Sequence, residues 1–342
     1  MELGLIFSTA ANAVLPILLL ILLGYGLRRS GMLTDDFSKL GSKLVFNVFL
    51  PVMLFNNVYE IETFSSINWT LVGYVMAIIC LLFVLGYASA LFATKVPERR
   101  GVIMQCAFRS NFAIIGIPLA SALGGTEAIA MTAVVSAFSI PLYSIFSVIS
   151  LTMFMKDGDG KGQSAKSVLL SIVTNPLIIA VALGFVVLGI RSVEQEIFGR
   201  AVFTISDDLP FVYTALKNIA SIASPFALVV MGAQFTFSAV KGLFKEIAVG
   251  TVCRIVIAPI LGIGIAVLLT TCTDWFSCGV NEFPALIALF GSPMAISGAV
   301  MAAEMGNDEQ LSTQLVVWPS VFSILTIFLT VCLLLPAGFL AA

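Results

Sequence analysis

A chain of 342 residues that is 59% hydrophobic and 11% charged falls far below the roughly one-quarter charge content of soluble domains, which excludes a water-soluble globular protein. A formal net charge of −2 offers no basic field to nucleic acid. Zero histidines and six cysteines without metal-ligand spacing leave no zinc cluster and remove the commonest group that titrates near neutral pH.

In chain order, uncharged apolar runs cover residues 3–27, 63–94, 128–155, 167–190, 218–240, 283–303 and 310–342. Each can hold the about 20 apolar residues that a bilayer-spanning helix needs. Runs 101–126 and 247–273 are each interrupted by one arginine, Arg109 and Arg254, and 44–59 qualifies when its flank from residue 37 is helical. The expected fold is therefore an all-α polytopic membrane protein of ten spans. Its longest polar stretches, 156–166 and 191–208, are only loop-sized. Met1 and Glu2 supply no basic leader, so the first run is read as a retained span.

Short cytoplasmic loops retain Lys and Arg. Alternate loops carry Arg28, Arg29, Lys39 and Lys43; Lys95, Arg99 and Arg100; Lys156, Lys161 and Lys166; and Lys241 and Lys245, against only Arg191, Arg200 and Lys217 on the other side. The expected location is a cell membrane, with both termini outside. Of the cysteines, Cys272 and Cys278 flank an outer loop, where they either pair or remain thiols. Asn68-Trp69-Thr70 is a formal glycosylation sequon abutting a span.

Prolines and glycines recur in order along the two halves: Pro16 with Gly24 and Pro176 with Gly184, Pro51 and Pro225, Pro141 and Pro319. Five spans per half is an odd number, so the copies enter from opposite sides. The expected repeats are inverted, with 1–155 the first, 156–166 a cytoplasmic loop and 167–342 the second. Gly116-Ile117-Pro118 in the fourth span answers Gly291-Ser292-Pro293 in the ninth. A proline inside a helix removes a hydrogen bond and clashes with the preceding turn. Irregular backbone at membrane depth survives only against protein or a wet cavity. Both helices are expected to break at these motifs. If the segments cross, half-helices starting near Pro118 and Pro293 aim N-terminal amides at one point, where partial positive charge favours an anion.

Arg109 is the only charge in the fourth span. Its guanidinium suits a carboxylate by bidentate pairing; the alternative is a side chain that snorkels or caps a helix C-terminus. Asn111 both donates and accepts, and reaches the same ligand as Arg109 only where the backbone is unwinding. Ser110, Ser292 and Ser297 are small polar groups beside the breaks, and Met294 follows the second proline. Asn47 and Gln234, on the second and seventh spans, are candidates for the cavity wall. Arg254 is read as structural or snorkelling.

At these residues the chain resembles the auxin efflux carrier family, which includes plant auxin carriers and bacterial proteins described as malate or malonate permeases. The resemblance is carried by Arg109-Ser110-Asn111 through Gly116-Ile117-Pro118-Leu119, Asn175-Pro176-Leu177, Pro225-Phe226-Ala227-Leu228 with Gly232, and Ala303-Glu304 through Leu311-Ser312-Thr313. It implies two inverted five-helix repeats and crossed broken helices four and nine. The first two helices of each repeat would form a scaffold and the last three a moving transport domain, in a homodimer. It also implies a carboxylate at the crossing, held by Asn111 ahead of Pro118. Pro293-Met294-Ala295 stands where the family pattern often reads Pro-Gln-Gly. The long hydrophilic loop of plant carriers is absent between spans five and six, as in a short bacterial type.

The expected function is secondary transport of a small organic anion, with no enzyme activity and no cofactor or metal. Coupling stays open among protons, with Glu304 the best-placed acid; sodium, with oxygen ligands on Gln105, Asn111 and Gln234; and uniport. Glu304 is alternatively an ordinary carboxylate at the water boundary. The competing readings are a sodium-coupled symporter resembling the bile-acid carriers and a transporter-like sensor without flux.

Overall fold

The computed structural model describes residues 3–60, 68–155, 170, 173–235 and 239–340. The expected cytoplasmic loop 156–166 lies outside the described residues. Among them the chain is helical, and the only extended pairing is a two-residue bridge between Ser110 and Met294. Seven helices among the described residues are long and apolar enough to cross a membrane. Their outward faces carry exposed Val84, Phe92, Leu183, Leu268 and Leu333, side chains that water would penalise and lipid accepts.

Helices α1 (Leu3–Arg29), α2 (Asp35–Leu44) and α3 (Leu50–Tyr59) open the chain, with a π-helical turn at Val45–Phe49 joining the last two. Helix α4 (Trp69–Ala93) starts where the Asn68 side chain accepts a hydrogen bond from the Leu71 amide at 3.0 Å. The sequon asparagine is thus an N-cap. Helices α5 (Pro97–Phe108) and α6 (Ile117–Thr152) follow, then α7 (Pro176–Phe198), a short α8 (Ile205–Asp208) and α9 (Pro210–Gln234). Helix α10 (Ala239–Val252) continues through two π-helical turns into α11 (Ile265–Cys272). Helices α12 (Phe283–Gly291), α13 (Ile296–Glu304) and α14 (Glu309–Leu334) complete the bundle.

Two of these boundaries differ from the hydropathy runs. Helix α7 begins at Pro176 and α9 at Pro210, each with proline in the first turn, where its missing N–H is no loss. Both then include charges that the runs exclude. Arg191 on α7 donates to the Tyr59 carbonyl at 2.8 Å, and Lys217 on α9 pairs with Glu60 at 3.3 Å. These cations meet the C-terminal end of α3, where partial negative charge favours them. Pro16, Pro141, Pro225 and Pro319 all sit inside continuous helices, so proline alone breaks none of them.

Helix α1 packs on α9, and α7 packs on α3. A Cβ at Gly24 would lie 2.0 Å from the Val229 carbonyl oxygen, and one at Gly232 2.0 Å from that of Ile21, so α1 and α9 cross with backbones touching. In the second pair Gly184 of α7 lies against Val58 and Phe55 of α3. The same helix-to-helix relation therefore occurs twice, on the residues that match between the halves. Helices α4 to α6 form a second group with α10, α12, α13 and α14. Gly125 at φ 62° turns the chain within α6, and Gly306 at φ 74° does the same between α13 and α14.

Cys272 and Cys278 are free thiols, the first exposed and the second buried, so the structure has no disulfide there.

Candidate functional site

Two spans are interrupted, and their interruptions cross. Helix α5 ends at Phe108. Arg109 is extended at φ −81°, ψ 107°, and a π-helical turn at Phe112–Gly116 leads into α6. Helix α12 ends at Gly291, and helix restarts at Ile296 in α13. The Asn111 amide donates to the Pro293 carbonyl at 2.8 Å, and the Ala295 amide donates to the Arg109 carbonyl at 3.2 Å. Each break thus satisfies backbone groups that the other leaves open, as burial at this depth requires.

The first break is not where Gly116-Ile117-Pro118 led the sequence reading to expect it. It lies at Arg109, Ser110 and Asn111, and Pro118 stands in the first turn of α6, a position proline tolerates. Gly116 serves packing: a Cβ there would come within 3.0 Å of the Ala288 carbonyl oxygen on α12. The side chains of Ile117 and Pro118 lie outside the described residues. In the second break Pro293 does occupy the interruption. The half-helices that start at the crossing therefore begin at Phe112, a turn and a half ahead of Pro118, and at Ile296, just after Pro293 as expected.

A cavity of about 40 Å³ lies at the crossing, lined by Arg109, Ser110, Asn111 and Phe112 from the first break and Ala295, Ile296 and Ser297 from the second. Tyr143 and Ile140 of α6, Leu50, Met53, Leu54 and Asn57 of α3, and Ser224 and Ala227 of α9 close it. The extended backbone brings Arg109 and Asn111 to one cavity despite their two-residue spacing. The Arg109 guanidinium is buried and donates to Ser147 Oγ at 2.5 Å, Ser297 Oγ at 2.9 Å and Met301 Sδ at 3.0 Å. Its Nε has no partner, and among the described residues no carboxylate pairs with it. Asn111 Nδ2, Ser110 Oγ and the Tyr143 hydroxyl are likewise buried without partners. Helix α13 has Ala295 as its N-cap, which offers no side-chain acceptor to the first-turn amides. The cavity therefore presents one uncompensated positive charge and several idle donors, which is what an anion needs.

Other expected residues do not meet there. Asn47 is exposed, and its amide donates to the Lys43 carbonyl at 2.9 Å. Gln234 lies at the C-terminal end of α9, 3.5 Å from Ser42 Oγ. Gln105 is fully buried with both amide atoms unpartnered, behind the cavity beside Gly298. Ser292 donates to the Ala288 carbonyl at 2.6 Å, and Gly291, Pro293 and Met294 shape the backbone without lining the cavity. Met294 holds the bridge to Ser110. Sequence reasoning missed Asn57 and Tyr143. The paired Asn56-Asn57 inside an apolar run was an available signal for the first; a lone tyrosine in a span carries none.

A larger cavity of about 690 Å³ opens between α1, α2, α9 and the start of α14. Arg28, Arg29 and Lys39 outnumber Asp35 and Glu309 on its walls. A narrow void of about 10 Å³ shares Ala227 with the crossing cavity, and Gln234 and Glu309 with the larger one. Val230, Met231 and Val300 make the constriction apolar. Glu304 ends α13. Burial pushes its carboxyl above the ordinary carboxylate value, Lys43 pulls it down and Glu309 pushes it up.

A bundle of lipid-faced helices enclosing a polar cavity where two spans are interrupted defines a polytopic membrane transporter. The chain matches the membrane transport protein family over residues 9–331, nearly its whole length, and belongs to that family, the auxin efflux carriers that its motifs resemble. It is 25% identical to an uncharacterized transporter of Methanocaldococcus jannaschii over 72% of this chain and 76% of that one. A second uncharacterized transporter, from Methanothermobacter thermautotrophicus, is 21% identical over 94% of this chain and 97% of its own. The uncharacterized transporter YfdV of Escherichia coli is 25% identical over 85% and 86%.

Proposed function

We propose that the protein is an alternating-access carrier for a small organic anion, a mono- or dicarboxylate such as malate or malonate, in a cell membrane. The observation that carries this reading is the buried Arg109 guanidinium, without an acid partner, beside the idle Asn111 amide at the crossing of two interrupted helices. A bound carboxylate would supply the missing charge and acceptors, Arg109 acting as the charged ligand and Asn111, Ser110 and the α13 amides as neutral donors.

The seven long helices, among them Glu127–Thr152 after the Gly125 kink, together with α1 and two interrupted pairs, α5 with the start of α6 and α12 with α13, make up ten spans in this reading, as two inverted five-helix repeats with both termini outside. The twice-repeated glycine packing of α1 on α9 and α7 on α3 supports the repeat. It also supports a scaffold of those four helices, against which the group carrying the crossing moves. A cavity of about 40 Å³ has room for only a few water molecules, at about 10–15 Å³ of such volume for each. A dicarboxylate enters only if α3 and α9 separate from the crossing. The basic cytoplasmic vestibule and its apolar constriction are the entry route on that side.

Uptake of labelled carboxylates by purified protein in liposomes tests the proposal, with sodium, proton and voltage gradients imposed separately. The expected result is saturable uptake of at least one mono- or dicarboxylate that Arg109→Gln removes. Equal flux in wild type and in variants of Arg109 and Asn111 would sink the crossing as the binding site.

A further inference from the structure

The mechanism proposed above uses one buried arginine and leaves the other without a task. Arg254 is fully buried, in the π-helical turn Cys253–Ile257 that continues α10. Among the described residues its guanidinium contacts no acid. Nε donates to the Ser292 carbonyl at 2.8 Å, Nη1 to those of Phe108 at 3.2 Å and Ala107 at 3.4 Å, and Nη2 to those of Leu289 at 2.9 Å and Phe290 at 3.2 Å. Four of the acceptors lie in the last turns of α5 and α12, the half-helices that stop at the crossing, and the fifth is the Ser292 carbonyl at the C-cap of α12. A helix C-terminus carries about half a negative elementary charge, so two together balance one guanidinium. Convergent carbonyls at half-helix C-termini are also where secondary transporters hold a coupling cation.

We propose that Arg254 is a tethered cation that permanently fills a carbonyl cage between the two half-helix C-termini, so that the crossing takes up no mobile sodium ion there. The cage has two consequences. It fixes the two breaks against each other through one side chain, independently of the bridge between Ser110 and Met294. It also keeps the carbonyl side of the crossing neutral whether or not an anion occupies the other side. The cage stands on its own geometry; the sodium-independence of flux rests also on the carrier reading.

The test measures melting of purified protein in detergent at constant ionic strength, in sodium, potassium or millimolar guanidinium chloride. Wild type should melt equally in all three. Arg254→Ala should melt about 10 °C lower, since several buried carbonyls lose their donor. Guanidinium at a few millimolar should restore a substantial part of that loss, as should sodium more weakly. An Ala variant that melts like wild type, or that no cation raises, overturns the cage.

Should Arg254→Ala not fold, Arg254→Lys and Arg254→Met replace it. The charged lysine should melt above the isosteric methionine, and equal melting overturns the proposal. In liposomes, wild-type carboxylate uptake should be unchanged when sodium is replaced by potassium on both sides; stimulation by sodium overturns the sodium-independence. The melting readout needs no substrate, so failure of the carrier reading and failure of the cage are separate results.

Discussion

The two buried arginines occupy opposite sides of one helix crossing and differ in how their charge is met. Arg254 lies on the carbonyl side, where five main-chain acceptors from α5 and α12 surround it and all three nitrogens donate. Arg109 lies on the cavity side, held by two serine hydroxyls and a thioether, with Nε idle. A buried charge without adequate partners is costly, and it persists where another molecule completes it. On the carrier reading proposed above, the saturated arginine belongs to the framework and the unsaturated one to the ligand. Sequence reading took Arg254 as structural or snorkelling; the structure buries it fully beneath the crossing, so it does not snorkel.

The comparison can be broken most directly through stability. Arg254→Ala should lower melting by the most, and Arg109→Gln should leave it within a few degrees of wild type, because it removes the donor of two serine hydroxyls and a thioether rather than of five main-chain carbonyls. Equal destabilisation by both would erase the distinction. Transport should reverse the ranking: Arg109→Gln is expected to reduce carboxylate uptake about 100-fold, the equivalent of ~3 kcal/mol for a lost charge-assisted pair. Asn111→Ala removes a neutral donor from the same cavity. Its uptake should fall about tenfold, with the loss in apparent affinity and unchanged melting.

The smallest effect is expected at Glu304. Its raised carboxyl value favours the protonated form in the folded protein, so its stabilising contribution is full below the unfolded value and is lost as pH rises through the folded one. Glu304→Gln should accordingly melt slightly above wild type at neutral pH and equal it in acid. If proton coupling runs through Glu304, the same variant flattens the pH dependence of uptake; if not, that profile is unchanged.

Much of the bundle was legible because hydrophobicity accumulates over a local window. A run such as 69–93 needs no partner to declare itself a span. Arg109 and Asn111 were legible for the same reason, as polar residues in apolar surroundings. The break itself was misplaced. Pro118 and Pro293 look alike in sequence, yet one sits in the first turn of a helix and the other in an extended bridge. What separates them is the partner strand: Ser110 and Met294 pair across the crossing, and no local pattern encodes that contact. Asn47, in the turn before α3, and Gln234, at the end of α9, fall outside the crossing cavity, since which face of each helix meets it depends on the glycine contacts that set helix rotation.

From its sequence alone the chain determines a polytopic helical membrane protein, the family it belongs to, and a cationic polar segment inside the fourth span. Those are properties of composition, order and local spacing. Only the tertiary structure decides where the helices stop, that the two stops satisfy each other's amides and carbonyls, and which arginine is left short of partners. Each of those depends on backbone groups far apart in the chain meeting where no water is present to substitute for them.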